Sequence, residues 1–184
     1  GLGVIGEGGR GTASHFGLED KVDVTMGTFS KSLASLGGYM AASELVCDYV
    51  RHNSRPFIFS ASIPPSNCAA ALAALRLLKE HPELPQRLNE LASYARAGLK
   101  ARGLRIIESE TPIIPHLHIR DGKTPSSAPS GSTTRGVYVN PVLPPAAAPG
   151  ECLLRVSCMA THTEALLDEA MDIIAEVLGK DERA

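Results

Sequence analysis

The chain has 184 residues, 43% of them hydrophobic, and a net charge of −2, which is enough chain for one large domain or one and a half domains with a sizeable core. The charge gives no electrostatic case for binding nucleic acid or an anionic membrane, and the absence of tryptophan argues against a base-stacking surface. The four cysteines form no C-x-x-C pair, so their spacing predicts no metal site.

The first part of the chain predicts short strands and helices after a glycine-rich loop. A short helical stretch is expected near Thr12–Gly17, followed by a buried strand at the partly β-branched run Val22–Gly27. A second strand is expected at Gly38–Ala42, after a glycine pair that marks a turn. Ser43 then predicts a helix N-cap, with Glu44 in the first turn.

The next stretch predicts one more strand and two long helices. Phe57–Ser60 is aromatic and β-branched, which favours a strand. Pro64 and Pro65 predict the start of an alanine- and leucine-rich, buried helix at residues 66–80, which His81 and Pro82 end. An amphipathic helix is expected from Leu84 to Arg102, before Gly103.

After Gly103 the pattern becomes that of a separate α+β module. Strands are expected at Ile113–Ile119, Val137–Asn140 and Leu153–Cys158, and Thr163 predicts the cap of a last helix. Residues 124–134 contain only Thr, Pro, Ser, Ala and Gly, a composition that predicts a mobile segment.

The most informative segment is Gly27–Gly38, which reads G-T-F-S-K-S-L-A-S-L-G-G. Its lysine, Lys31, has small hydroxyl residues around it, among them Thr28 and Ser30. Poor solvation in such a pocket favours the neutral amine, which can form a Schiff base with an aldehyde cofactor. Hydroxyls and glycine amides can hold a phosphate. The segment therefore suggests a pyridoxal 5′-phosphate site.

Two other motifs resemble a dinucleotide site and a metal site, but both lack the residues or elements that such sites need. Gly1–Gly6 is a formal G-x-G-x-x-G, but a dinucleotide site needs a helix directly after it, and E-G-G-R-G follows instead. His116 and His118 form H-x-H without an evident third ligand, so no metal is predicted.

Arg155 lies in L-L-R-V-S, a charged residue inside an apolar strand. A buried arginine needs a partner, and the guanidinium fork suits a carboxylate. The partner is either a substrate carboxylate or, in the structural alternative, an acidic residue of this chain.

The chain resembles the α-oxoamine synthases, pyridoxal-phosphate enzymes that join an amino acid to an acyl thioester with loss of CO2. Besides the lysine motif, the resemblance is carried by four blocks that cover most of the chain. These are G-E-G-G-R-G-T, R-P-F-I-F-S-A-S-I-P-P, G-V-Y-V-N-P-V and L-L-R-V-S-C-M-A-T-H-T, which begin at Gly6, Arg55, Gly136 and Leu153.

The resemblance implies an α/β fold of the aspartate-aminotransferase type (PLP fold type I). Residues 1–82 would be the C-terminal part of the large cofactor-binding domain, and residues 83–184 the small C-terminal α+β domain. In longer family members a D-E-A-H-like motif precedes the first of these blocks, so the chain looks like the C-terminal half of an enzyme. By itself it would lack part of the active site.

The family's site residues transfer to positions of this chain that match its motifs. Lys31 would be the catalytic, cofactor-holding lysine, and Thr28 and Ser30 would contact the phosphate. Ser60 and Ser62, two apart on a predicted strand and therefore on one face, would reach the phosphate of the neighbouring subunit in a homodimer. Arg155 would bind the amino acid's carboxylate.

Two branches of the family fit best. The serine palmitoyltransferase branch condenses L-serine with a long-chain acyl-CoA to 3-oxo-sphinganine. The alternative, the 8-amino-7-oxononanoate synthase branch, uses L-alanine and a pimeloyl thioester, carried on CoA or on a carrier protein, in biotin synthesis. An alternative of another class is an inactive fragment or a non-catalytic partner subunit, although such partners typically lack the lysine. A cytoplasmic location is expected, with peripheral contact with the inner membrane as an alternative.

Overall fold

The computed structural model describes residues 1–109, 114–119, 133–149 and 151–180. The chain divides into two compact units, residues 1–86 and 87–184. The division lies in the first turn of helix α5 (Glu83–Ala101). Within the described ranges, no helix combines the length and the apolar composition needed to cross a membrane.

The first unit contains a two-stranded antiparallel sheet after a short helix, α1 (Thr12–His15). Strand β1 (Thr25–Thr28) pairs with β2 (Gly38–Ala41), and Thr28 lies opposite Gly38. The strand predicted at Val22–Gly27 therefore begins later than expected, and its predicted burial is wrong. Its apolar side chains line a cavity instead of a packed core, and their exposed fractions are 42% for Val22, 47% for Val24 and 73% for Met26.

Three helices follow in this unit. Helix α2 (Glu44–Asn53) begins as predicted after Ser43, whose hydroxyl accepts the Val46 N–H at 3.5 Å. Helix α4 (Pro65–Glu80) also begins and ends as predicted. Its predicted burial is wrong, because Ala71 is the buried residue of α4 and its leucines at 72 and 77 are about half exposed.

The strand predicted at Phe57–Ser60 is a short helix, α3 (Arg55–Phe59). The Ser54 hydroxyl accepts the Phe57 N–H at 3.4 Å, and Pro56 lies in the first turn. An N-cap and a proline at the start favour a helix, and here they override the strand propensity of the aromatic residues.

The second unit combines two long helices with short strands. One is α5 from Arg87 onward, and the other is α6 (Glu164–Lys180), which the Thr163 hydroxyl caps by accepting the Leu166 N–H at 3.2 Å. The described strands are β3 (His116–His118), β4 (Thr133–Thr134), β5 (Val137–Tyr138), β6 (Asn140–Val142) and β7 (Leu153–Arg155). They form a three-stranded antiparallel sheet in the order β3-β7-β6, and β4 pairs with β5.

Parts of two sequence predictions lie outside the described residues. The strand predicted at Ile113–Ile119 is observed from His116 to His118, and residues 110–113 are outside the description. Most of the segment predicted to be mobile, residues 124–132, is also outside it.

The core of the second unit lies between its helices and one face of the sheet. Leu91, Leu99 and Leu117 are completely buried. On α5 the buried positions recur every four residues, which places them on one helical face. Leu154 on β7 lies opposite Leu117 and joins the same cluster.

A polar cluster at the rim of this core links α5 to α6. The Arg102 Nε atom donates to the Asp172 carboxylate at 2.7 Å, and Arg102 also reaches Asp168 at 3.3 Å. The Tyr94 hydroxyl donates to Asp168 at 2.7 Å, and this hydrogen bond raises the pKa of Tyr94 above its ordinary value. The two helices are therefore connected by charge-assisted hydrogen bonds as well as by apolar contact.

Replacing Leu117 by alanine tests the core. We expect Leu117→Ala to lower the free energy of unfolding by about 2–5 kcal/mol, because it removes a completely buried side chain. Leu45→Ala is the matched control, since Leu45 is 80% exposed, and should cost less than about 0.5 kcal/mol. Urea unfolding followed by circular dichroism measures both, and equal losses would contradict this description of the core.

Candidate functional site

Lys31 lies in a closed loop between β1 and β2. The Phe29 N–H donates to the Gly37 carbonyl at 2.8 Å, next to the last strand pair. Inside the loop, the Ser35 N–H donates to the Phe29 carbonyl at 2.9 Å and the Ala34 N–H to the Lys31 carbonyl at 3.1 Å. These bonds set the path of the backbone around Lys31.

Side chains on the C-terminal side of Lys31 attach the loop to the rest of the first unit. The Ser32 hydroxyl donates to the Leu2 carbonyl at 2.7 Å. Leu33 is 3% exposed, and the buried Ser35 donates its hydroxyl to the Asn67 carbonyl at 2.7 Å, in the first turn of α4. The Lys31 backbone is therefore held beside three attached residues.

Two glycines of the motif make room for large neighbours. Gly37 has φ +101°, and a Cβ atom there would lie 2.4 Å from Cδ1 of Ile63. A Cβ atom at Gly27 would lie 2.4 Å from Cε1 of Tyr39, whose ring stacks on Phe29 at 5.9 Å. Packing alone therefore explains why small residues occupy these positions.

The Lys31 side chain is exposed to solvent, so the burial expected from its small neighbours is wrong for the described residues. Leu33 and Ser35 occupy the interior of the loop instead. Lys31 borders a cavity of about 430 Å³, which is lined by polar side chains (Arg10, Thr12, Thr28, Ser32, Tyr39) and apolar ones (Leu2, Phe16, Val24, Met26), among others.

The four predicted phosphate contacts differ in position. Thr28 lines the same cavity as Lys31. Ser30 is exposed and is not part of that lining. Ser60 is the C-cap of α3 and Ser62 lies in the segment before α4, so the argument that strand alternation places them on one face is wrong. Both are exposed and outside the lining of this cavity.

Arg10 is a cavity residue that sequence reasoning did not identify. It pairs with Glu19 at 2.8 Å and lies 3.9 Å from Glu7. The available signal was its position in G-E-G-G-R-G-T, a glycine-rich block with one cation. Because Arg10 already pairs with acidic residues of this chain, we expect it to stabilise the glycine-rich segment that contains it.

Arg155 is the last residue of β7, the middle strand of the second unit's sheet. Its side chain is exposed, so the predicted burial is wrong, because Leu154 occupies the core face and alternation places Arg155 on the opposite face. Among the residues that the structure describes, Arg155 forms no ion pair. An internal salt bridge within those ranges therefore does not account for it.

Outside this site, the thiol of Cys158 has a shifted pKa. Burial raises the pKa of the Cys158 thiol, because it disfavours the thiolate. A thiol with a raised pKa is a poor nucleophile at neutral pH. This favours Lys31 over Cys158 as the reactive side chain.

Comparison with known proteins identifies the class. Residues 3–174 match the family described as aminotransferase class I and II, and the chain belongs to that family. It is 46% identical over 172 residues to a serine palmitoyltransferase of Bacteroides ovatus, a match that covers 94% of this chain and 43% of the relative. It is 43% identical over 172 residues to 8-amino-7-oxononanoate synthase 1 of Bacillus subtilis, covering 94% of this chain and 44% of the relative.

A solved structure gives the same result for the fold. A high-resolution structure of SPT with a PLP internal aldimine has a TM-score of 0.86 and 34% identity, and the match covers 97% of this chain and 46% of that one. The resemblance to the two branches and the aspartate-aminotransferase-type fold are thus confirmed. The chain spans less than half the length of these relatives.

Substituting Gly37 tests whether the loop is held as described. Gly37→Ala places a methyl group against Ile63 at a left-handed backbone position, so we expect a loss of about 2–4 kcal/mol in the free energy of unfolding. Gly17→Ala is the matched control, because Gly17 has φ +64° but open space around it, and should cost only about 1–2 kcal/mol.

The double variant Gly37→Ala/Ile63→Ala separates the clash from the backbone cost. Removing the Ile63 side chain should make the added methyl group cost no more than it does at Gly17. Thermal or urea unfolding of these variants, of Ile63→Ala and of the unsubstituted protein measures these costs. Equal effects of Gly37→Ala and Gly17→Ala would show that Ile63 does not pack on the loop.

Proposed function

We propose that the chain carries the cofactor lysine of a pyridoxal-phosphate-dependent α-oxoamine synthase. The observation that carries this proposal is the attached loop that puts Lys31 and Thr28 on the wall of one cavity, in a chain 46% identical to a serine palmitoyltransferase. The activity belongs to the full-length protein, in which residues 1–82 contribute to the large domain and residues 83–184 form the small one.

The residues at the cavity fit the cofactor. The cavity has a volume of about 430 Å³, which lies in the range of small-molecule sites. Lys31 supplies a primary amine on a fixed backbone, and Thr28 supplies a hydroxyl at the end of β1. Pyridoxal phosphate, when bound, supplies an aldehyde that reacts with amines and a ring that accepts an electron pair.

Each residue of the proposed site has a distinct task. Lys31 holds the cofactor and, once the amino acid has displaced it, its Nζ atom accepts the proton from the substrate's Cα. Thr28 and Ser30 donate hydrogen bonds to the phosphate. Ser60 and Ser62 donate hydrogen bonds to the phosphate that the neighbouring subunit of a homodimer binds. Both residues are exposed, which is compatible with this role.

Arg155 is proposed to bind the substrate's α-carboxylate. Its guanidinium is exposed and unpaired within the described ranges. A planar guanidinium can donate two parallel hydrogen bonds to a carboxylate, which gives both affinity and a defined orientation. The contact would orient the amino acid without taking part in proton transfer.

The substrate pair proposed first is L-serine with a long-chain acyl-CoA, because of the 46% identity to the Bacteroides ovatus enzyme. The second candidate, L-alanine with a pimeloyl thioester, is favoured by the 43% identity to the Bacillus subtilis enzyme. Assaying the full-length protein with both amino acids and both thioesters distinguishes the two. Binding of cofactor without turnover of any pair would favour the non-catalytic alternative.

Labelling tests the role of Lys31. We expect borohydride reduction of the full-length protein with pyridoxal phosphate to leave a pyridoxyl group on the peptide that contains Lys31. Peptide mass spectrometry should show that Lys31→Ala abolishes this label, whereas Lys79→Ala, at an exposed lysine of α4, keeps it. A label on another lysine of the unsubstituted protein would overturn the proposed function.

The role of Arg155 predicts a selective loss of affinity. Arg155→Ala should raise the KM for the amino acid about tenfold to hundredfold, because a charge-assisted contact is worth about 1.5–3 kcal/mol. The KM for the acyl thioester should change much less. Arg105→Ala, at an exposed arginine of the same unit, is the control. Similar damage to both KM values would indicate a structural arginine.

A further inference from the structure

Arg155 is the centre of a polar row across the sheet of the second unit. It lies directly opposite His116 of β3 on one side and Asn140 of β6 on the other. Directly opposed residues of antiparallel strands project from the same face. The next row of pairs, Leu154 with Leu117 and Pro141, projects to the other face, where Leu117 and Leu154 belong to the core.

The ladder shows how close these side chains lie. The Val156 N–H donates to the Pro115 carbonyl at 3.0 Å, and the Ile119 N–H donates to the Cys152 carbonyl at 2.9 Å. Bonded and non-bonded pairs alternate in an antiparallel ladder, so Arg155 and His116 form a non-bonded pair, in which side chains are closest. Arg155 and Asn140 form the other kind of pair, because the backbone groups of Arg155 that point away from β3 point towards β6. Their side chains still project from one face of the sheet, with Cβ atoms about 5.5 Å apart.

The polar side chains beside Arg155 form no hydrogen bonds within the described ranges. Asn140 and His116 are half-buried, yet neither side chain has a hydrogen-bond partner within the described ranges. Farther along the same face, the row formed by Val142 and Leu153 is apolar apart from His118, which is near Glu151 at 3.7 Å. Half-buried polar groups keep contact with solvent, so a ligand that enters this face of the sheet can form hydrogen bonds with them.

We propose that Asn140 is a second substrate-binding residue whose carboxamide donates a hydrogen bond to the carboxylate that Arg155 holds. The proposal rests on the proposed function. A carboxylate has about four lone-pair sites, and a guanidinium occupies only two of them. A neighbouring amide N–H therefore completes the set without changing the charge.

Asn140 suits this task better than His116. An asparagine amide always offers two donors, whereas an imidazole nitrogen donates only in the appropriate tautomer or when protonated. The row thus combines the charge of Arg155 with a permanent neutral donor at Asn140. The ligand class that it recognises is an α-amino acid with a free carboxylate.

Substrates with and without the carboxylate provide the test. Isothermal titration calorimetry of the full-length holoenzyme measures the dissociation constants of L-serine and of ethanolamine, which keeps the amine and the hydroxyl but lacks the carboxylate. L-Alanine and ethylamine form a parallel pair for the second candidate substrate. We expect Asn140→Leu to weaken binding of the amino acid about tenfold and to leave the amine unchanged.

Two further variants and one control keep the result interpretable if Asn140→Leu does not fold. Asn140→Asp is nearly isosteric and puts a negative charge beside Arg155, so it should weaken amino-acid binding more than Asn140→Leu does. Asn140→Ser retains a donor and should recover part of the affinity. Val142→Ala, on the same strand and the same face, should affect neither ligand.

The outcomes separate the two proposals. Equal loss for amino acid and amine, or no loss for either, overturns the role of Asn140 while Lys31 labelling and the Arg155 effect stand. If Lys31 carries no label, the proposed function fails. If Arg155→Ala leaves amino-acid affinity unchanged, the proposed carboxylate contact fails. The role of Asn140 fails in either case. Loss confined to the amino acid, with partial recovery in Asn140→Ser, supports the inference.

Discussion

The hydrogen bond from the buried Ser35 hydroxyl to the Asn67 carbonyl joins the lysine loop to the first turn of α4. Without this attachment, a nine-residue connection between two short strands would have many conformations, because two strands alone form a weak frame. Leu33 and the contact of Gly37 with Ile63 add packing to the same loop. The Lys31 side chain can therefore extend into solvent while its backbone is held.

The same division between a fixed backbone and an available side chain recurs at Arg155. The middle strand β7 contributes Leu154 to the core and Arg155 to the opposite face. The core fixes the strand, and neighbouring strands on both sides fix which residues lie beside the guanidinium. A rigid sheet positions a binding side chain more accurately than a loop does, which suits a residue that must orient a substrate.

The first unit has several strongly exposed apolar side chains. Before and on β1, the side chains at positions 22, 24 and 26 are each more than 40% exposed, and Leu45 and Phe59 are above 75%. Contiguous exposed apolar surface usually marks a contact site.

Much of the architecture could be predicted from local sequence signals. The caps Ser43 and Thr163, the proline pair before α4 and the glycine after α5 act over a few residues, and the helices begin and end near them. The strand predicted at Phe57–Ser60 failed because Ser54 and Pro56 gave a stronger local signal for a helix than the aromatic side chains gave for a strand. The family could also be identified from the sequence, because each of its motifs is a contiguous run of residues.

Burial and neighbourhood depended on the tertiary structure. The sequence by itself determined that Lys31 sits among small residues, but only the fold showed that those residues make room for Tyr39 and Ile63 and that Lys31 is exposed. It also determined that Arg155 interrupts an apolar strand. That Asn140, fifteen positions away in the chain, lies beside Arg155 follows from strand register, because register depends on the packing of the whole sheet face and not on the local sequence.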